Sequence, residues 1–109
     1  MKYIISVIDS QTRSPHTPEE ISAINAINVE MVNLGYRVFA GGIDAPSKAI
    51  VFDNRNSTSH RSEGSFYSGE EFFSGIWIVD VPSKEIAEEL ALKSSAACNR
   101  KVELRSLLG

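Results

Sequence analysis

Apolar and polar positions along the chain follow two different periods, and the switches between them divide it into elements. Residues 2–8 are almost continuously apolar and stop at Asp9, which predicts a strand. Residues 9–16, rich in Ser, Arg and Pro, predict a surface connection. Thr17, Pro18 and Glu20 form a capping box with proline in the first turn, where no N–H is needed, so a helix starts here. Ile21, Ile24, Ile27, Met31 and Leu34 then recur at helical spacing, with Glu19, Ser22, Glu30 and Asn33 opposite and Gly35 as the closing cap. Residues 36–43 set Val38 and Ala40 against Arg37 and Phe39, the alternation of a strand, and run into Gly41-Gly42, a bend or a close approach. Pro46 marks a turn over 44–48. Residues 49–52 predict a short hairpin arm, and the polar run 54–62 predicts a loop longer than a hairpin needs.

The chain is organised around residues 63–81. Gly64, Ser65, Ser68 and Gly69 are turn chemistry, whereas 72–81 is dense in aromatic and β-branched residues and predicts a central strand buried on both faces. Pro82 stops that strand and Ser83 caps a second helix with Ile86, Ala87, Leu90, Ala91 and Ala97 on its apolar side. Residues 101–107 predict a final half-exposed strand. The order is strand, helix, strand, hairpin insertion, strand, helix, strand. It predicts an α+β domain with a ferredoxin-like split βαβ sheet and both helices on one face. Such a sheet leaves its second face open, yet the central strand is apolar on both sides. A second copy of the chain is the expected cover, so a homodimer is predicted.

Composition narrows the partners. At 109 residues there is one domain, 1–109, with no internal repeat and no linker. A net charge of -3 with 23% charged residues does not suit a polyanion, so nucleic acid is not expected. The apolar N-terminal run is too short for a signal peptide or a membrane span, so no membrane association is expected. The single cysteine, Cys98, cannot pair internally, and the cytoplasm is the simplest compartment.

Candidate chemistry is sparse. Glu63, at the mouth of the central strand, is the leading catalytic candidate, because partial burial there would raise its pKa and make it a proton acceptor. The alternative is a turn carboxylate that accepts backbone N–H bonds from Gly64 and Ser65. Asp44, after the double glycine, is the second catalytic candidate, or else an Asx-type turn before Pro46. Ser65, Phe66, Tyr67 and Trp77 could line a site for a flat ligand, with the aromatics otherwise serving as core, and Asn28 could aim an amide into a pocket from the helix flank. His16 and His60 read as solvated loop residues and Cys98 as structural. The sequence contains no nucleophile motif, P-loop, dinucleotide fingerprint or metal-ligand cluster, so no cofactor and no metal are expected.

The central stretch resembles the "DGPF" segment of the YCII-related family, in which an Asp-Gly-Pro-Phe turn is followed by Glu, then Gly, then an aromatic strand ending in an acid and a valine. The matching residues are Glu63, Gly64, Ser65, Phe66, Glu71, Gly75, Trp77, Asp80 and Val81, with Glu63 replacing Asp and Ser65 replacing Pro. The likeness extends to Thr17-Pro18-Glu19-Glu20, Gly41-Gly42 and Val102-Glu103-Leu104-Arg105. It implies a dimeric α+β barrel with a cleft near the interface, where a small organic acid or lactone-like molecule would bind and cofactor-free acid/base catalysis could run. Other members imply a different role, a non-enzymatic interaction or transcription-associated regulatory module of the sigma-factor-linked type. The histidine that some members carry inside the first helix has no counterpart among Ile24, Asn25, Ala26, Ile27 and Asn28.

Overall fold

Residues 1–10 and 15–109 are described by the computed structural model, and the expected surface connection falls partly outside them. The apolar N-terminal run forms β1 (Lys2–Ser10), and α1 (Pro18–Asn33) starts at Thr17, whose side chain accepts from the Glu20 N–H while Glu20 returns the bond to the Thr17 N–H. Leu34 is the C-cap, with Gly35 one residue beyond. β2 (Arg37–Gly42), β3 (Ile50–Asp53), β4 (His60–Glu63), β5 (Glu71–Asp80), α2 (Lys84–Cys98) and β6 (Lys101–Ser106) follow. Ser83 caps α2 by accepting from the Ile86 N–H at 3.2 Å.

The fold is α+β, with a four-stranded antiparallel sheet in the order β2-β5-β1-β6 and a separate β3-β4 hairpin. α1 connects β1 to β2, which flank β5, and α2 connects β5 to β6, which flank β1. Because side chains alternate across a strand, Tyr3, Ile5 and Val7 of β1 share one face with Trp77 and Val79 of β5. Ile27 and Met31 of α1 and Ala87, Leu90, Ala91 and Cys98 of α2 cover that face and form the core. Full burial of side chains such as Ile5 and Met31 contributes about 1.5–3 kcal/mol each.

Three expectations need correction. The central strand is buried on one face only: Ile76 and Ile78 are half-covered, and Phe73 on the same side is exposed. That uncovered face also carries Ile4, Ile8 and Phe39, and Ile43 lines a cavity with Ile8 and Phe73 beside it. The run 54–62 is not all loop, since His60–Glu63 pairs with β3, Ile50 opposite Glu63 and Asp53 opposite His60. Backbone pairing builds this strand from residues with little β-propensity. The hairpin tip is tied instead by Asp53, whose carboxylate accepts from Arg55 Nε at 3.0 Å and Nη2 at 2.7 Å. Finally, Arg37 and Phe39 do not share a side. A bulge between Arg37 and Phe39 sets Arg37 opposite Val79, on the helix side, and leaves Val38 exposed.

Candidate functional site

The helix side of the sheet contains a gap, and glycine makes it. Ala40 and Trp77 pair beneath α1, and the next helix-side positions along β2 and β5 are Gly42 and Gly75, which pair with each other. With no side chains there, the sheet ends in a hollow; a Cβ on Gly75 would already meet the Gly41 carbonyl oxygen at 3.3 Å. The resulting cleft has a volume of ≈ 390 Å³, with Val7, Ile24, Ala40 and Trp77 as apolar walls and His16, Asn28 and Arg37 as polar groups.

Those polar groups are fixed by specific bonds. Asn28 Oδ1 accepts from Trp77 Nε1 at 2.9 Å and from Arg37 Nη1 at 3.2 Å, while its Nδ2 donates to the Ile24 carbonyl at 3.0 Å. One amide thus satisfies a buried indole, anchors itself to the helix and steers a guanidinium. No carboxylate lies within ion-pair distance of Arg37 among the described residues, so a neutral amide is what holds this cation at the cleft.

His16, half-buried, shares its Nδ1 with Glu20 Oε1 at 3.2 Å. A carboxylate can only accept, so Nδ1 carries the hydrogen in that bond and Nε2 is the ring nitrogen left outside it. Glu20 Oε1 also lies 3.5 Å from Nη1 of the buried Arg100, and its Oε2 accepts from Asn99 at 3.4 Å. Arg100 Nε lies 3.1 Å from Asp9 Oδ2, and its Nη1 donates to the Cys98 carbonyl at 3.1 Å. The Thr17 N–H bond, then His16, Asn99 and Arg100, hold the Glu20 carboxyl below its ordinary pKa against the opposing effect of desolvation. Glu20 is therefore an anion that both caps α1 and orients an imidazole. Cys98 also lines the cleft, where burial pushes its thiol pKa up and so disfavours the reactive thiolate.

The residues singled out from sequence fall into three groups. Asn28 and Trp77 meet in the cleft. Asp44, Ser65 and Tyr67 line a second cavity of ≈ 690 Å³ on the uncovered face, beside Ile8, Phe73 and Arg105. Asp44 Oδ1 accepts from the Ala45 N–H at 2.8 Å, a bond to the next residue; an Asx turn would need the N–H two residues on, which Pro46 lacks. Glu63 and Phe66 line neither cavity. Glu63 ends β4 instead of sitting at the mouth of the central strand; its side chain is 80% exposed and lies 3.2 Å from Arg61, so the expected partial burial is not present. Phe66 stacks edge-on against Tyr67, with ring centroids 5.0 Å apart. His16, expected to be a solvated loop residue, is instead half-buried in the cleft, and the sequence reading passed over Arg37 and the second role of Glu20. The spacing of His16 four residues before Glu20 was the available signal for His16.

No helix among the described residues is long and apolar enough to cross a membrane. Among the same residues no group of three or more His, Cys, Asp or Glu side chains is placed to hold a metal ion. No protein-family model matches the chain, and no curated protein is recognisably similar to it.

Proposed function

We propose that this chain binds a small organic acid or lactone-like molecule in the cleft beneath α1 and moves a proton on it without a cofactor. The carrying observation is Arg37, a guanidinium with no carboxylate within ion-pair distance among the described residues, held by Asn28 beside the apolar wall of Trp77. An uncompensated cation next to apolar surface favours a carboxylate with a flat or aliphatic body, which would form a charge-assisted pair. His16 supplies the base: with Nδ1 committed to Glu20, Nε2 takes a proton from carbon next to the substrate's carbonyl and returns it elsewhere on the same molecule. The sheet is read as ferredoxin-like and the chain as one subunit of a face-to-face dimer in the manner of the YCII-related α+β barrels, working in the cytoplasm. The strand order and the apolar uncovered face support that reading.

A thermal-shift screen of small carboxylates and lactones tests the binding claim, since a ligand at about 100 times its Kd adds about 2.7 kcal/mol of stability. Hits should disappear in Arg37→Gln and persist in His16→Gln. For each hit, exchange of its activated C–H into deuterated water should require His16. If no carboxylate or lactone stabilises the protein, or if Arg37→Gln retains every hit, the small-acid reading fails and the non-enzymatic interaction module takes its place.

A further inference from the structure

Among the described strands the β3-β4 hairpin pairs only with itself. Neither of its strands joins the four-stranded sheet, and a lone two-stranded hairpin is marginal in water. Yet Phe52 on it is 70% exposed, and Phe66 and Tyr67 at its return are 74% and 82% exposed. The whole molecule reflects this arm. Its accessible surface is 7505 Å², about 1,500 Å² above the ~6,000 Å² expected of a compact 12.0 kDa chain. Its radius of gyration is 15.8 Å, against about 13 Å for a compact domain of this length. The arm leaves on the uncovered side of the sheet, because Ser65 and Tyr67 from its return share a cavity with Ile8, Phe73 and Arg105 of that face.

We propose that this arm is an exchange arm: in a pair of copies, Phe52 and the Phe66–Tyr67 pair of each chain pack on the uncovered sheet face of the other. The inference rests on the face-to-face dimer reading and adds where its anchor residues lie. A second copy is the occupant because one chain presents both halves of the contact. It has an apolar face with Phe39 exposed and Ile76 and Ile78 half-covered, and it has three aromatic side chains each at least 70% exposed. A two-fold axis joins each arm to the other's face in one isologous interface. The surplus surface is large enough: a standard interface takes about 800 Å² from each partner, which leaves room for the arm beyond the face itself. The polar rims also suit each other, with Arg61 and Glu63 on the arm and Glu103 and Arg105 along the face.

Sedimentation equilibrium on the full chain, with amide hydrogen exchange across a range of concentrations, provides the test. The wild type should be dimeric, and the double substitution Phe66→Ser with Tyr67→Ser should weaken the dimer by about 100-fold or more, as loss of buried aromatic anchors does. Far-UV circular dichroism should not change, because both side chains are exposed in the single chain. Amides of residues 50–63 should gain protection as the dimer fills. A dimeric wild type whose double variant has the same dissociation constant, or whose arm amides exchange at one rate at every concentration, overturns the exchange arm and leaves the dimer standing. A monomeric wild type overturns both.

Discussion

Replacing Asn28 with Leu tests the bond network that shapes the cleft. Leucine has similar size and better helix propensity, so the change deletes an acceptor while the helix gains up to about 0.5 kcal/mol. What is lost is the partner of Trp77 Nε1, on a side chain that is 5% exposed. A buried donor left unsatisfied costs about 1–3 kcal/mol. Arg37 is exposed and recovers its hydrogen bond from water, so its share is small. The net loss should be about 1–2 kcal/mol, a fall in Tm of about 5–10 °C for a domain of this size. Urea unfolding followed by far-UV circular dichroism, a probe that also serves variants lacking the single tryptophan, measures it. Trp77→Phe removes the donor, so in the double variant the unpaired N–H no longer exists. The two losses should then be sub-additive by about 1 kcal/mol. Strict additivity, or an Asn28→Leu loss below about 0.5 kcal/mol, would show that the indole finds another partner and that Asn28 does not hold the wall of the site.

Gly42→Val should fill the cleft at little cost in stability, since a Cβ there meets nothing closer than the Ser74 carbonyl oxygen at 3.9 Å; carboxylate binding by calorimetry should vanish while Tm stays. Glu20 has a folded-state pKa below its ordinary value of 4.5, so between those two values the unfolded chain binds more protons and stability rises with pH. Its contribution is complete above 4.5 and is lost as pH falls through the folded value, and Glu20→Gln, which keeps the cap acceptor, should flatten that acid limb in pH-dependent melting. Cys98, 1% exposed with a raised pKa, should react with a thiol reagent no faster than the protein unfolds, and Cys98→Ala should retain ligand binding.

Local chemistry explains which features were legible in the sequence. Thr17, Pro18 and Glu20 carry the capping box in adjacent residues, and Ser83 after Pro82 does the same for α2, so both helix starts could be read directly. The apolar runs of β1 and β5 marked both as strands, but a run apolar on both sides could not show that one face of β5 is left uncovered. What could not be read depended on pairing between distant segments. The polar β4 is a strand only because β3 lies beside it, and that pairing carries Glu63 out on the arm instead of to the core. The bulge at Val38 has no signature in the residues around it, yet it turns Arg37 toward Asn28 and so creates the cation of the cleft. Asn28 and Trp77 were both singled out, but 49 positions separate them and only the fold reveals that they share a hydrogen bond.

The central claim is that an organic acid binds against Arg37 and Trp77. Because Trp77 is the sole tryptophan and forms a wall of the cleft, its emission reports on that site alone. Titration with benzoate, a flat monocarboxylate small enough for ≈ 390 Å³, should produce a saturable change in that emission. Arg37→Gln should weaken it by about tenfold or more, as loss of a charge-assisted pair does. A linear, unsaturable response, or the same dissociation constant in wild type and Arg37→Gln, would contradict the account.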